Sequence, residues 1–217
     1  MKQTNTLAPL ITYEGIEGAG KSTQMFEVSK YFQQVCHRRV LITREPGGTP
    51  IAEKIRAILI HPEEENLDYK TEAYLMQAAR VQHVQEVIIP GIKTHDLVLC
   101  DRFIDSSTAY QGVGRNLGVD WIEKLNAFST QTLIPTLTFF IDIPVELSLE
   151  RMQARKKGQR KNDRFESEQV DFYTAIRKAY IDIAQKNTSR IITLDGTLAK
   201  KDLIEQQITK IQEVLTA

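Results

Sequence analysis

The sequence predicts an α/β fold: a five-stranded parallel sheet flanked by helices, with a short mobile lid at about residues 151–166. Three observations carry that expectation. Short apolar, β-branched runs recur along the chain, each followed by turn residues, as suits strands buried on both faces. Between them, apolar residues return every three or four positions, which puts them on one face of a helix. Strands alternate with helices instead of segregating, the pattern of a parallel sheet covered on both sides.

The elements follow in order. Leu10–Tyr13 is the first run, and Met25, Val28, Phe32 and Val35 then repeat at helical spacing. Val40–Thr43 is the second strand, and a helix is expected over Glu72–Val84 before the third, Leu97–Cys100. Leu137–Ile141 is the fourth, after which Pro144 suits the opening of a helix through Val145, Leu149 and Met152. Tyr173, Ile176, Tyr180 and Ile183 mark another helix, Arg190–Leu194 the fifth strand, and Ile204, Ile208, Ile211 and Leu215 the last helix. Ligands of such sheets bind beyond the carboxyl ends of the strands. The residues that follow each strand are therefore the ones to read for chemistry.

Composition narrows the field. With 217 residues, the chain fits a single domain spanning 1–217. Its 28 basic and 28 acidic residues cancel, so no overall field points to nucleic acid or an anionic membrane. Phosphate binding has to come from local clusters. No apolar run approaches the ~20 residues that span a bilayer, and Met1–Pro9 lacks the apolar core of a signal peptide. Cys36 and Cys100 make no disulfide framework or metal motif, and Cys100 reads as core. A reducing cytoplasm is the expected location.

The strongest motif follows the first strand. Gly15, Ile16, Glu17, Gly18, Ala19, Gly20, Lys21 and Ser22 fit G-x-x-x-x-G-K-[ST], with Thr23 next. Glycines let the backbone curl so that successive N–H groups face phosphate oxygens, and the helix beginning near Lys21 adds the positive end of its dipole. Lys21 is expected on the β and γ phosphates of ATP, and the Ser22 hydroxyl on Mg²⁺. The third strand delivers Asp101 at its tip, placed either to help hold Mg²⁺ through water or simply to cap a loop. Together these features describe a three-layer P-loop NTPase.

The acceptor side is legible through a resemblance. Thr43-Arg44-Glu45-Pro46-Gly47-Gly48-Thr49, Ala78-Ala79-Arg80 and Asp101-Arg102-Phe103 through Ser107, Tyr110 and Gln111 appear in that order. With Gly15–Thr23 they resemble thymidylate kinases, the bacterial form most closely, from about Leu10 to Thr197. The resemblance implies a kinase that moves the γ-phosphoryl of ATP onto dTMP with Mg²⁺, as a homodimer. It implies that Arg44 and Arg102 hold the acceptor's α-phosphate with support from Arg56. Arg80 and Gln111 meet the thymine edge, with Ser107 beside the base. Tyr110 packs against the sugar, Glu17 lies near its 3′-hydroxyl, and Glu45 shares the pocket. Several guanidinium groups are also what chemistry asks for, since acceptor and triphosphate repel each other. One departure stands out. Family members commonly carry an aromatic residue four positions before the base-reading arginine, and here that position is Met76, which fits base contact and core filling equally.

The stretch from Arg151 to Glu166 is dense in positive charge and contains Gly158. It reads as a solvated basic turn or as a lid closing over ATP. It resembles the lid of bacterial thymidylate kinases, which carries catalytic arginines. That makes Arg155 and Arg164 the leading candidates for the transferred phosphoryl, with Arg160 behind them, Arg151 on the adenine, and Asp163 and Glu166 orienting the arginines. Leu194–Thr197 reads as an adenine-side loop or a plain strand-to-helix turn. The histidines, His37, His61, His83 and His95, read as surface or helix residues. Two other functions remain open on sequence alone: a kinase with a different monophosphate acceptor, and a nucleotide-dependent switch that binds a protein.

Overall fold

The computed structural model describes residues 7–61, 67–156, 165 and 168–216, and of Arg155 and Lys156 the backbone alone. Five parallel strands form one sheet in the order β2-β3-β1-β4-β5. They are β1 (Leu10–Glu14), β2 (Val40–Arg44), β3 (Leu97–Asp101), β4 (Leu137–Asp142) and β5 (Ile191–Asp195). Each expected strand is present, and each runs one residue further at its carboxyl end. The extra residues are Glu14, Arg44, Asp101, Asp142 and Asp195. Apolar patterning stops at the last core-facing side chain, whereas the ladder continues through it.

The longer helices are α1 (Lys21–Gln34), α2 (Pro50–Ile60), α3 (Tyr69–His83), α6 (Val119–Thr130), α7 (Val145–Lys156), α8 (Val170–Lys186) and α9 (Lys200–Thr216). Two short ones, α4 (Ile89–Thr94) and α5 (Ile104–Ser107), flank β3. Wider π turns occupy Val84–Ile88, between α3 and α4, and Thr108–Gly114, after α5. The start of α2 is specified locally: Thr49 caps it by accepting from the Ala52 N–H, and Pro50 occupies the first turn.

Central β1 is buried along its whole length. Its alternate side chains enter two cores. Ile11 and Tyr13 join Leu97 and Leu99 under Met25, Val28 and Phe32 of α1. Leu10 joins Val98 and Cys100 under Val84, Ile88 and Ile92. Each such side chain contributes about 1.5–3 kcal/mol when fully buried. Register then aligns the strand ends: Arg44 pairs with Asp101, and Asp101 with Tyr13. The functional residues stand on that edge.

Candidate active site

The turn from β1 into α1 forms the cradle. Gly15 has φ 139°, and a Cβ there would lie 2.5 Å from the carbonyl oxygen of Ile141. Only glycine lets the loop pass that close to β4. Lys21 is buried and curls back, its Nζ donating to the carbonyls of Gly15 at 3.0 Å and Ile16 at 2.9 Å. Burial, and then the charge of Arg102, pull its pKa from 10.5 to about 8 against the opposing pull of Glu17, Asp101 and Glu14. Ser22 donates its hydroxyl to Asp101 Oδ2, so two hard oxygen ligands meet at the mouth of the cradle. From α7, Arg151 donates to the Gly18 carbonyl at 3.0 Å and Ser148 to that of Glu17 at 2.6 Å.

Arg102 joins the cradle to a neighbouring cavity. It has φ 69°, a left-handed conformation that costs a non-glycine residue about 1–3 kcal/mol. The surroundings hold it there. Its N–H donates to Tyr13 O at 2.9 Å, and the next N–H, from Phe103, donates to Glu14 Oε1 at 2.8 Å. Its guanidinium then reaches the Gly15 carbonyl at 3.0 Å, Glu17 Oε2 at 2.5 Å and the Tyr110 hydroxyl at 3.2 Å. Burial works against its charge, but Glu17, with lesser help from Tyr110, Tyr180 and Asp101, raises its pKa well above the ordinary value. Glu14 also accepts from Ser106 at 2.6 Å and Tyr180 at 2.9 Å. Burial, followed by Asp105, raises its pKa.

The cavity beyond is lined by Glu17, Arg102 and Tyr110 on the cradle side. Met76, Arg80, Ser107, Gln111, Glu45 and Arg56 line it as well. Arg80 is almost fully buried and its guanidinium is fixed on several sides. It donates to Glu45 at 2.7 Å, Asn126 at 2.5 Å, the Phe103 carbonyl at 2.9 Å and Ser107 at 3.0 Å. Arg56 anchors on the Pro46 carbonyl at 2.9 Å. A triphosphate cradle and a guanidinium-lined pocket thus share Arg102 and Glu17 as a common wall.

The thymidylate kinase family model matches residues 13–208 of this sequence, which takes in the cradle, the pocket and the elements that carry them. The chain belongs to the thymidylate kinase family. It is 40% identical over 205 residues to the thymidylate kinase of Pediococcus pentosaceus, covering 94% of this chain and 97% of that one. Identity reaches 44% over 198 residues with the thymidylate kinase of Kosmotoga olearia, covering 91% and 92%. Among solved structures, thymidylate kinase from Ehrlichia chaffeensis superposes with a TM-score of 0.73 at 29% identity, covering 94% of this chain and 98% of that one.

Most of the expected site residues converge on the cradle and the cavity, and Arg44 does not. Arg44 ends β2 half-exposed and is bound to Glu53 at 2.8 Å, and among the described residues it is not part of the cavity wall. The side chain of Arg155, with Arg160, Asp163, Arg164 and Glu166, lies outside the described residues. His83, read with the other histidines as a surface or helix residue, sits in α3 but is fully buried. It bridges Thr43 at 2.6 Å and Glu45 at 2.9 Å. Met76 packs on the main core, as its core-filling reading expects, and it also lines the cavity. Sequence reasoning missed Glu14, Glu72, Arg115 and Asn126. Only Glu14 had a signal, a carboxylate closing a buried strand just before a phosphate loop.

Proposed function

We infer that this chain transfers the γ-phosphoryl of ATP to dTMP, giving ADP and dTDP. The observation that carries the reading is Arg102, whose one guanidinium touches the cradle at Gly15 and Glu17 and walls the cavity next door. A cation there neutralises both nucleotides at the point where they meet. In the reaction an α-phosphate oxygen of dTMP forms a bond to the γ-phosphorus while the bond from that phosphorus to the β–γ bridging oxygen breaks. The attacking oxygen is already ionised, so no strong base is needed, and catalysis reduces to alignment and charge stabilisation.

The proposed roles rest on the positions of the described residues and, for the lid, on the family resemblance. Gly15–Thr23 and Lys21 hold the triphosphate, and Arg151 closes the cradle at Gly18 toward the adenine side. Arg102 and Arg56 take the acceptor phosphate. Arg44 joins them on release from Glu53. Arg80, Gln111, Ser107 and Met76 meet the base, Tyr110 and Glu17 the sugar, and Glu45 fixes Arg80. Arg155 and Arg164 meet the transferred phosphoryl from a lid over 151–166. Ser22 and Asp101 fit Mg²⁺, a hard ion that takes few protein ligands and completes its shell with phosphate and water. When bound, the ion neutralises charge on the β and γ oxygens.

The same reading assigns a homodimer in the cytoplasm. Apolar side chains stay exposed on three adjacent helices: Ile51 and Ile58 on α2, Tyr74 and Val81 on α3, and Phe128 on α6. Among the described residues no helix is long and apolar enough to cross a membrane.

The test is coupled ADP release over dTMP, dUMP, dCMP and dGMP, with a no-acceptor control. The highest kcat/KM is expected with dTMP, and little turnover without acceptor. Equal phosphate release with and without dTMP, or a purine preference, overturns the assignment.

A further inference from the structure

We propose that Glu72 is a positioning residue that sets the polarity of the base-reading amide, making the acceptor site select a pyrimidine with an N3–H over one whose N3 is a bare acceptor. The inference rests on the reading that Arg80 and Gln111 meet the base. It concerns which end of the Gln111 amide the base encounters.

A carboxamide offers two donors at one end and an acceptor at the other. Gln111 lines the cavity, and its Nε2 donates to Glu72 Oε1 at 2.7 Å. Glu72 is fully buried, and Arg115 Nε donates to its other oxygen at 3.1 Å. A carboxylate ion-paired with a guanidinium can only accept, so it must take the NH₂ end of Gln111. The carbonyl oxygen is then the end presented to a ligand. That oxygen accepts from the N3–H of thymine or uracil and repels the N3 lone pair of cytosine. Arg80 completes the pattern, because it can turn a donor from Ser107 to a 4-carbonyl but has nothing to accept a 4-amino group.

The clamp is itself held. Arg115 is buried, stands 4.6 Å from the ring centres of both Tyr69 and Phe172, and lies 2.6 Å from Glu168. Glu72 and Arg115 are thereby fixed against α3 and α8 at once, and Glu72 cannot swing away to release the amide. Sites built on such hydrogen bonds discriminate strongly, because the wrong base leaves buried groups unpaired.

The experiment compares kcat/KM for dTMP and dCMP. Glu72→Gln keeps the shape but can donate as well as accept, so Gln111 is free to turn. The dTMP to dCMP ratio is expected to narrow by about tenfold or more, mostly through a higher KM for dTMP. A loss shared equally by both substrates would mark Glu72 as merely structural and overturn the proposal. In a Gln111→Met background, adding Glu72→Gln is expected to leave the ratio unchanged, and a further shift there also overturns it. If Glu72→Gln does not fold, Glu72→Met with Arg115→Met removes the buried ion pair as a unit, a change proteins often tolerate. The ratio must narrow in that variant too. Gln111→Met alone separates the two layers. If it leaves the ratio untouched, the base reading fails. If it narrows the ratio while Glu72→Gln does not, only the role of Glu72 fails.

Discussion

Lys21 shows how much chemistry one buried charge carries. Its pKa of about 8 reflects lost hydration first and repulsion from Arg102 second. The phosphates of bound ATP favour the charged form. Below pH 8 the ammonium is present with or without ATP, and affinity is flat. Above it the free protein has lost the proton, so binding must take one up, and affinity for ATP falls by up to about tenfold per pH unit. Folding runs the other way. An unfolded lysine keeps its proton to about 10.4, so between about 8 and that value the unfolded state binds more protons, and the contribution of this group to stability rises with pH. Calorimetric titration of ATP from pH 7 to pH 9.5 separates the two trends, with Lys21→Met as a weak, pH-independent control. A wild-type affinity that stays level across that range would remove Lys21 from the phosphate contacts.

At the scale of elements, the fold was legible where a pattern repeats. The strands and the faces of α1, α8 and α9 follow from side-chain periodicity alone. The two π turns did not, because a locally widened helix leaves no mark in apolar spacing. The same holds for polar residues that join elements. Asn126 looks like a solvated position in α6, yet it is buried. It accepts from Gln77 at 2.9 Å and Arg80 at 2.5 Å, and donates to the Ile104 carbonyl at 3.1 Å and Thr108 at 3.2 Å. It thus ties α6 to α3, α5 and the π turn that carries Gln111. Gly48 was legible as part of a motif but not in its cause. A Cβ there would lie 2.5 Å from the buried ring of His83, a contact that only the folded chain reveals. Replacing Asn126 with Leu, nearly isosteric, orphans donors and acceptors on three elements. Thermal denaturation is expected to show a loss of about 2–4 kcal/mol, and KM for dTMP to rise as Arg80 loosens. An unchanged melting temperature would mean that those groups find other partners.

For the whole molecule, the acceptor pocket and the exposed apolar surface are two sides of one helix. On α3, Met76 and Arg80 face the cavity, while Tyr74 and Val81, one heptad apart, face outward. Tyr74 meets Trp121 of α6 edge-on at 5.7 Å, and Phe128, a heptad after Trp121, is 83% exposed. Ile51 and Ile58 extend the stripe on α2, which packs against α3. An exposed apolar face of this kind fits a two-fold dimer. In the proposed dimer, association would brace α3, the helix that lines the pocket. Tyr74→Glu with Phe128→Glu puts charge on the stripe without touching the cavity. Sedimentation at micromolar protein is expected to show wild-type dimers and variant monomers, with the monomers weaker for dTMP than for ATP, because α3 lines the pocket whereas the cradle is built from the β1–α1 turn and α7. Wild-type monomers at those concentrations would refute the dimer. Variant monomers that keep full dTMP affinity would show that α3 needs no partner to hold Arg80 in place.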